Sequence, residues 1–291
     1  MKSKVLLVLN HAPDFRESFL RELGNLVDLT VIASSCEEGN LIPPNERQGY
    51  HYKEVQMTRY LGLQWPQTTF TFDELLCFDV ICCSFSLRAP YWWLLFMKYP
   101  SLRIKWVWWG QIYGRSNSLV FNGLRKLLLT RSASVLVYTN DIAKRLKHEF
   151  GLEAVSFNNT EICESEFQTG VHEVNSRGRL NLLFVGRNQE RKKLHRLIDL
   201  IGHNRNMQLR LVGKGMSDLP IPGYLFENER IKTYGHTAGY ALKQHFDWAD
   251  LVVNPGHAGL LVMNAARHGK GILIDKSSHH APEDILAKEA D

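Results

Sequence analysis

Short apolar runs alternate with segments of helical period along the whole chain. Val5–Leu9 is a continuous apolar run, as expected of a parallel strand covered on both faces. Phe15, Phe19, Leu20 and Leu23 follow at helical spacing, with Gly24 as a stop. Leu29–Ala33 predicts a second strand. The stretch from Glu37 to Arg59 is polar and holds Pro43 and Pro44, so it is expected to contain a long loop. Asp79–Cys83 and Lys105–Trp108 read as buried strands, Leu119–Leu129 as a helix and Ser134–Tyr138 as a strand. Asp141–Phe150 reads as a helix capped by Thr139 or Asn140.

The pattern then breaks. Gln168–Arg179 is polar, holds Gly170 and Gly178 and lacks apolar periodicity, so it predicts a linker. A second alternation follows: strand Leu180–Val185, helix Lys192–Ile201, strand Gln208–Val212, strand Arg230–Tyr234 and helix Ala238–Phe246. Strand Leu251–Asn254, helix Leu260–Arg267 and strand Gly271–Ile274 complete it. The expected class is α/β, with two Rossmann-like domains facing across a cleft: residues 1–167, a linker at 168–179, and 180–291.

Composition narrows this little. Of the 291 residues, 44% are hydrophobic and 22% charged, which is ordinary for a globular protein. The net charge of +5 favours anionic partners, and no Lys/Arg block resembles a nucleic-acid tail. Five cysteines form no CxxC pair and no zinc spacing, so no metal site is expected and the thiols point to a reducing compartment. The amino-terminal apolar run is too short for a signal peptide and lacks a cleavage site, and Tyr91–Met97 is too short to span a bilayer. The expected location is the cytoplasm.

The candidate chemistry collects where strands of the second half end, the place where ligands bind in open α/β sheets. Gly186–Arg187 closes one strand, and Lys192 is expected to open the next helix. A helix amino terminus attracts phosphate, Arg187 adds a forked clamp and Lys192 a point charge. A solvated basic turn made of Arg187, Arg191, Lys192 and Lys193 fits the same residues. Gly213-Lys-Gly215 permits a tight turn, without the Gly-Lys-Ser/Thr ending of a Walker A loop. Asn254-Pro-Gly-His-Ala-Gly259 puts Gly256, His257 and Gly259 between a buried strand and an apolar helix. Asn264 lies one turn inside that helix, where it would meet either neighbouring backbone or the hydroxyls of a ribose.

In the first half, Trp106-Val-Trp-Trp-Gly-Gln111 ends a strand in a glycine turn at Gly110 and Gln111. Its tryptophans suit either the core or the apolar face of a sugar. His11 sits at the carboxyl end of the first strand, where an acceptor or base belongs. That loop, Asn10-His-Ala-Pro-Asp14, has no Gly-x-Gly-x-x-Gly, which speaks against a nicotinamide cofactor.

With these residues in place the chain resembles family 4 glycosyltransferases of the GT-B fold, of the bacterial polysaccharide and lipopolysaccharide type. Leu182-Leu-Phe-Val-Gly-Arg187, Arg191-Lys192 and Leu209-Arg-Leu-Val-Gly213-Lys-Gly215 resemble their donor half. Trp248-Ala-Asp250-Leu-Val-Val-Asn-Pro255 and Gly259-Leu260 through Ile272 are similar to the strand and helix around the family's Glu-x7-Glu motif. Ala133–Thr139 and Asn158-Asn159-Thr160 are similar to the end of its acceptor domain. The first glutamate position falls on Gly256 and the second on Asn264. Gln111 stands where some relatives carry histidine. The resemblance also implies further helices beyond Pro282-Glu283, so the second domain is expected to be incomplete at Asp291.

The resemblance implies transfer of a sugar, with retention and without a metal, from a nucleoside diphosphate sugar to a glycan or lipid-linked acceptor. Arg187 and Lys192 would stabilise the leaving diphosphate. Gly186, Gly213, Gly215, Gly256, His257, Gly259, Leu260 and Asn264 would hold the donor, and His11, Gly110 and Gln111 would lie on the acceptor side. The nucleotide sugar is substrate, and no cofactor is expected. Arg88–Lys98 and Leu119–Arg131 mix apolar and basic residues, as do interfacial helices and, more commonly, amphipathic core helices; the first reading implies peripheral membrane contact. A GT-B-like protein that binds a sugar nucleotide or a partner enzyme without turnover is the alternative from a different class.

Overall fold

The computed structural model describes residues 2–38, 41–113, 118–157, 178–278, 280 and 287. Contacts divide the chain into two units, Met1–Glu161 and Ile162–Asp291. The expected linker lies outside the described residues apart from Gly178 and Arg179, as do Cys163, Asn158–Thr160 and Pro282–Glu283.

The first unit contains β1 (Lys4–His11), α1 (Glu17–Leu26), β2 (Asp28–Ser34), β3 (His51–Glu54), β4 (Met57–Tyr60), β5 (Leu63–Pro66), α2 (Phe72–Leu76) and β6 (Val80–Ser84). It continues with α3 (Pro90–Lys98), β7 (Trp106–Gly110), α4 (Leu119–Leu129), β8 (Ser134–Val137), α5 (Asn140–Phe150) and β9 (Val155–Ser156). Seven strands form a parallel sheet in the order β3-β2-β1-β6-β7-β8-β9. Strand alternation divides its apolar residues between two cores. Leu6 and Val8 pack with Ile81, Cys83, Trp106 and Trp108, whereas Leu7 and Leu9 pack with Val31, Cys82 and Trp109. Both faces are covered, which explains the unbroken apolar run of β1.

Local chemistry sets the helix ends. The Thr139 hydroxyl accepts from the Ile142 N–H at 3.4 Å, and Gly151 closes α5 with a φ of 67°. Thr71 and Glu74 form a reciprocal capping box on α2.

The long loop expected within Glu37–Arg59 is present over residues 41–50, and strands follow it. Residues 51–54 add an edge strand to the sheet, and β4 and β5 form a separate antiparallel hairpin. Its turn is Leu61-Gly62, with φ values of 48° and 78°. This positive-φ pair does the work usually given to Asn-Gly.

The second unit contains β10 (Leu180–Val185), α6 (His195–His203), β11 (Met207–Val212), α7 (Gly223–Glu227), β12 (Ile231–Tyr234), α8 (Gly239–Trp248), β13 (Leu251–Asn254), α9 (Leu261–Arg267) and β14 (Ile272–Ile274). Its parallel sheet runs β12-β11-β10-β13-β14 around a core that includes Phe184, Leu211, Val252 and Phe246. The chain leaves β10 for β11 and β12 on one side, then crosses to β13 and β14 on the other. The strand order therefore reverses between β10 and β13, the position that opens a crevice at the carboxyl ends. In the first unit the same reversal falls between β1 and β6.

Lys192 does not open a helix. It ends a 3-10 turn, Glu190–Lys192, and α6 begins only at His195. Lys193, between them, takes a left-handed φ of 52°.

Candidate functional site

Three loops of the second unit meet at the carboxyl ends of β10, β11 and β13. Two glycines are required for that meeting. A Cβ on Gly213, whose φ is 141°, would lie 1.8 Å from the Gly186 carbonyl oxygen. A Cβ on Gly256 would lie 2.2 Å from the Arg191 carbonyl oxygen and 2.6 Å from the Lys192 Cα. The backbones thus touch directly, and the glutamate that the resemblance places at Gly256 has no room. Gly186 donates to the Val212 carbonyl at 2.9 Å, and Asn188 bonds the second loop at Lys214 and Gly215, each at 3.0 Å. Gly215, with a φ of 77°, leads into the 3-10 turn Met216–Asp218.

The loop after β13 is pinned from within. Asn254 is 1% exposed; its Oδ1 accepts from the Gly256 N–H at 3.2 Å and its Nδ2 donates to the His257 carbonyl at 3.3 Å. His257 N–H donates to the Arg191 carbonyl at 2.9 Å. Ala258 N–H donates to His280 Nδ1 at 3.1 Å, and His280 Nε2 donates to the Asp275 carbonyl at 2.8 Å, which defines the tautomer. The N–H groups of residues 256–258 are therefore engaged inside the protein. Gly259 and Leu260 follow, at the start of α9. Asn264 is half-buried one turn into α9, its N–H bonded to the Leu260 carbonyl at 3.0 Å.

The cations differ in their duties. Lys193 donates to Ser278 Oγ at 2.8 Å and lies 3.9 Å from Asp275, which also pairs with Arg196 at 2.7 Å. Hydrogen bonds from Ser277 hold the Asp275 carboxyl down at about 2. This cluster is a brace. Lys192 instead donates to the His257 carbonyl at 2.6 Å, so it ties the two loops across the strand-order reversal. Burial, with Arg191 and Arg187 beside it, depresses its ammonium to about 8. Both charges that act on it are positive. Arg187 is half-buried directly after Gly186.

The first unit carries a cavity of about 970 Å³ at the carboxyl ends of β1, β6, β7 and β8. Asn10 and Ser84 contribute from the two strands that flank the reversal, and Gly110 and Gln111 line it as a pair. Trp109 and Tyr138 form its aromatic wall, with the indole N–H 3.4 Å from the Tyr138 hydroxyl. Trp106 and Trp108 belong to the core. His11 does not line the cavity. It is the last residue of β1, and its Nδ1 lies 2.9 Å from the Ser35 carbonyl and 3.0 Å from Ser34 Oγ. Strand alternation separates it from Asn10. Arg88 and Arg125 line the cavity without having been recognised as site residues, because the sequence presents them as charges on amphipathic segments.

These features define a GT-B-type α/β protein with cations gathered where the strand order of its second unit reverses. No protein-family model matches the chain, and no curated protein does. Solved structures do match it. WaaG, a glycosyltransferase involved in lipopolysaccharide biosynthesis, shares 11% identity at a TM-score of 0.53, over 98% of this chain and 88% of its own. Anabaena Alr3699/HepE in complex with UDP and glucose shares 13% at 0.55, over 98% and 89%. A Listeria monocytogenes protein provisionally assigned as a UDP-N-acetylglucosamine 2-epimerase shares 12% at 0.53, over 99% and 82%. The chain has the fold of the GT-B glycosyltransferases, and since that fold also appears in the last protein, the reaction has to be argued from the site.

Proposed function

We propose that this chain is a glycosyltransferase that moves a sugar from a nucleoside diphosphate sugar to a glycan or lipid-linked acceptor. The observation that carries the reading is the group of cations after β10. Lys192 is half-buried beside two further cations, its pKa depressed to about 8, where the strand order of the second unit reverses. A desolvated ammonium beside like charge is disfavoured in its charged form and is restored to it by an anion. As the bond from the anomeric carbon to the diphosphate breaks, negative charge grows on the departing oxygen. Arg187 and Lys192 oppose that charge, with Arg191 near them. Three cations neutralise a diphosphate, and no metal is assigned to that role. Asn264 meets the ribose, and the sugar acceptor enters the cavity beside Gly110 and Gln111. Retention at the anomeric carbon is part of the proposal.

The UDP and glucose bound to the Anabaena protein make UDP-sugars the first donors to try. The test is a screen of UDP-, GDP- and ADP-sugars for transfer and hydrolysis, with the anomeric configuration of any product read by NMR. Release of UDP with an α-configured product from an α-configured donor is expected. Binding without turnover across the panel would replace the transferase with the nucleotide-sugar-binding alternative.

Peripheral membrane contact from the cytoplasm is proposed on one feature. The first turn of α4 leaves Leu119 88% and Val120 78% exposed, and Lys126 is exposed on the same helix. By contrast α3 buries Pro90, Trp92 and Phe96. No described helix is long and apolar enough to cross a membrane. Failure to float with anionic liposomes would remove this part.

A further inference from the structure

The first-unit cavity carries charge of one sign. No Asp or Glu occurs among the described residues that line it, whereas Arg88 and Arg125 both do. Arg88 is exposed, and its guanidinium has no ion pair or hydrogen bond with any described residue. Arg125 is 3% exposed. Its Nε donates to the Ile112 carbonyl at 3.3 Å and one terminal nitrogen donates to Asn122. Glu149, whose charge reaches Arg125, is also engaged by Arg145 at 2.7 Å and by the Tyr113 hydroxyl at 2.8 Å. Around the two arginines stand Ser84, Ser86 and Gln111 as hydrogen-bonding groups and the half-buried Tyr138 as an aromatic face, with Trp109, 4% exposed, also in the lining.

A concave wall with one sign of charge focuses its field inward and raises the local concentration of the opposite charge. A guanidinium fork matches phosphate and carboxylate oxygens in pairs. We propose that the acceptor which enters this cavity is an anionic glycan, bearing a phosphate or a carboxylate, with Arg88 as its principal contact and Arg125 as the buried source of field. The inference rests on the transferase reading for the word acceptor, and on the cavity alone for the charge.

Trp109 lies in the cavity lining, so occupancy is read as a change in the intrinsic fluorescence, to which all seven tryptophans contribute. The test is quenching by glucose 6-phosphate, glucuronate and methyl glucoside, up to tens of millimolar, with the wild type and with Arg88→Gln and Arg125→Lys. Both anionic sugars, or one of them, are expected to bind about tenfold more tightly than methyl glucoside, the usual size of a charge-assisted contact. The pair also tells phosphate from carboxylate. Added salt is expected to weaken the preference, and Arg88→Gln, a change at an exposed position that leaves folding intact, is expected to remove most of it. Equal binding of the neutral and charged sugars overturns the inference. So does the absence of any quenching, or a preference unchanged in Arg88→Gln and Arg125→Lys alike. A parallel melting curve with UDP separates the two claims: a UDP-induced rise without anionic preference refutes only this inference, and the converse refutes only the donor assignment.

Discussion

Binding of a nucleoside diphosphate at pH 8 is expected to draw a proton onto Lys192. In the free protein, burial and the neighbouring Arg191 and Arg187 hold this ammonium at about 8, against 10.5 for an ordinary lysine. Half of the molecules are therefore neutral there at pH 8. A diphosphate adds negative charge beside the group and favours the ammonium. If it restores about two pH units, roughly half a proton is taken up per nucleotide at pH 8 and almost none at pH 6. Uptake of protons means that affinity falls as pH rises above 8. The same shift acts on folding. The folded pKa is below the unfolded one, so the unfolded chain holds more protons between these values. Stability accordingly rises as pH climbs from about 8 to 10.5, by on the order of 3 kcal/mol. Titration calorimetry with UDP in two buffers of different ionisation enthalpy reads the proton count directly, and Lys192→Met should abolish it. A heat of binding independent of buffer at pH 8, or the same uptake in Lys192→Met, would refute the reasoning.

Three further substitutions probe the same loops. Gly213→Ala forces a Cβ to within 1.8 Å of the Gly186 carbonyl at a φ of 141° and should cost about 3 kcal/mol in urea unfolding; a loss under about 1 kcal/mol would show that the loops yield easily. Gly256→Glu, which writes the resembling family's acid into the chain, should push back the Arg191–Lys192 backbone and weaken nucleotide binding, seen as a smaller UDP-induced rise in melting temperature. Enhanced turnover in that variant would contradict the packing argument. Arg187→Ala should leave the melting temperature near that of the wild type while lowering transfer by 10²–10³, about 3 kcal/mol of barrier; near-normal turnover would remove Arg187 from the mechanism.

The parts of this protein visible in its sequence are those governed by period and by glycine. The apolar runs at Val5–Leu9 and Leu180–Val185 identify strands because both sheet faces are covered, and Leu119–Leu129 matches α4 residue for residue. The loops bearing Gly213 and Gly256 stand out because close backbone approach admits no other residue at those two positions. What stayed hidden depends on contacts distant in sequence. The Leu61-Gly62 turn lacks the Asn-Gly or Asp-Gly pair that marks a hairpin, so the sequence does not signal the pairing of β4 with β5. Nothing near Lys193 marks it as the partner of Asp275 and Ser278, some eighty residues on, rather than a neighbour of Lys192 in function. His11 sits at the correct strand end for the cavity, yet alternation turns Asn10 there instead. Arg125 resembles a solvent-facing charge on α4 until the packing around it is seen.

The account's central claim is that the cations after β10 hold a diphosphate. A crystal structure with UDP bound tests it most directly. The pyrophosphate is predicted within hydrogen-bonding reach of both the Arg187 guanidinium and Lys192 Nζ, with the ribose toward Asn264. Nucleotide density elsewhere on the protein, with those two side chains directed away from it, would contradict the claim.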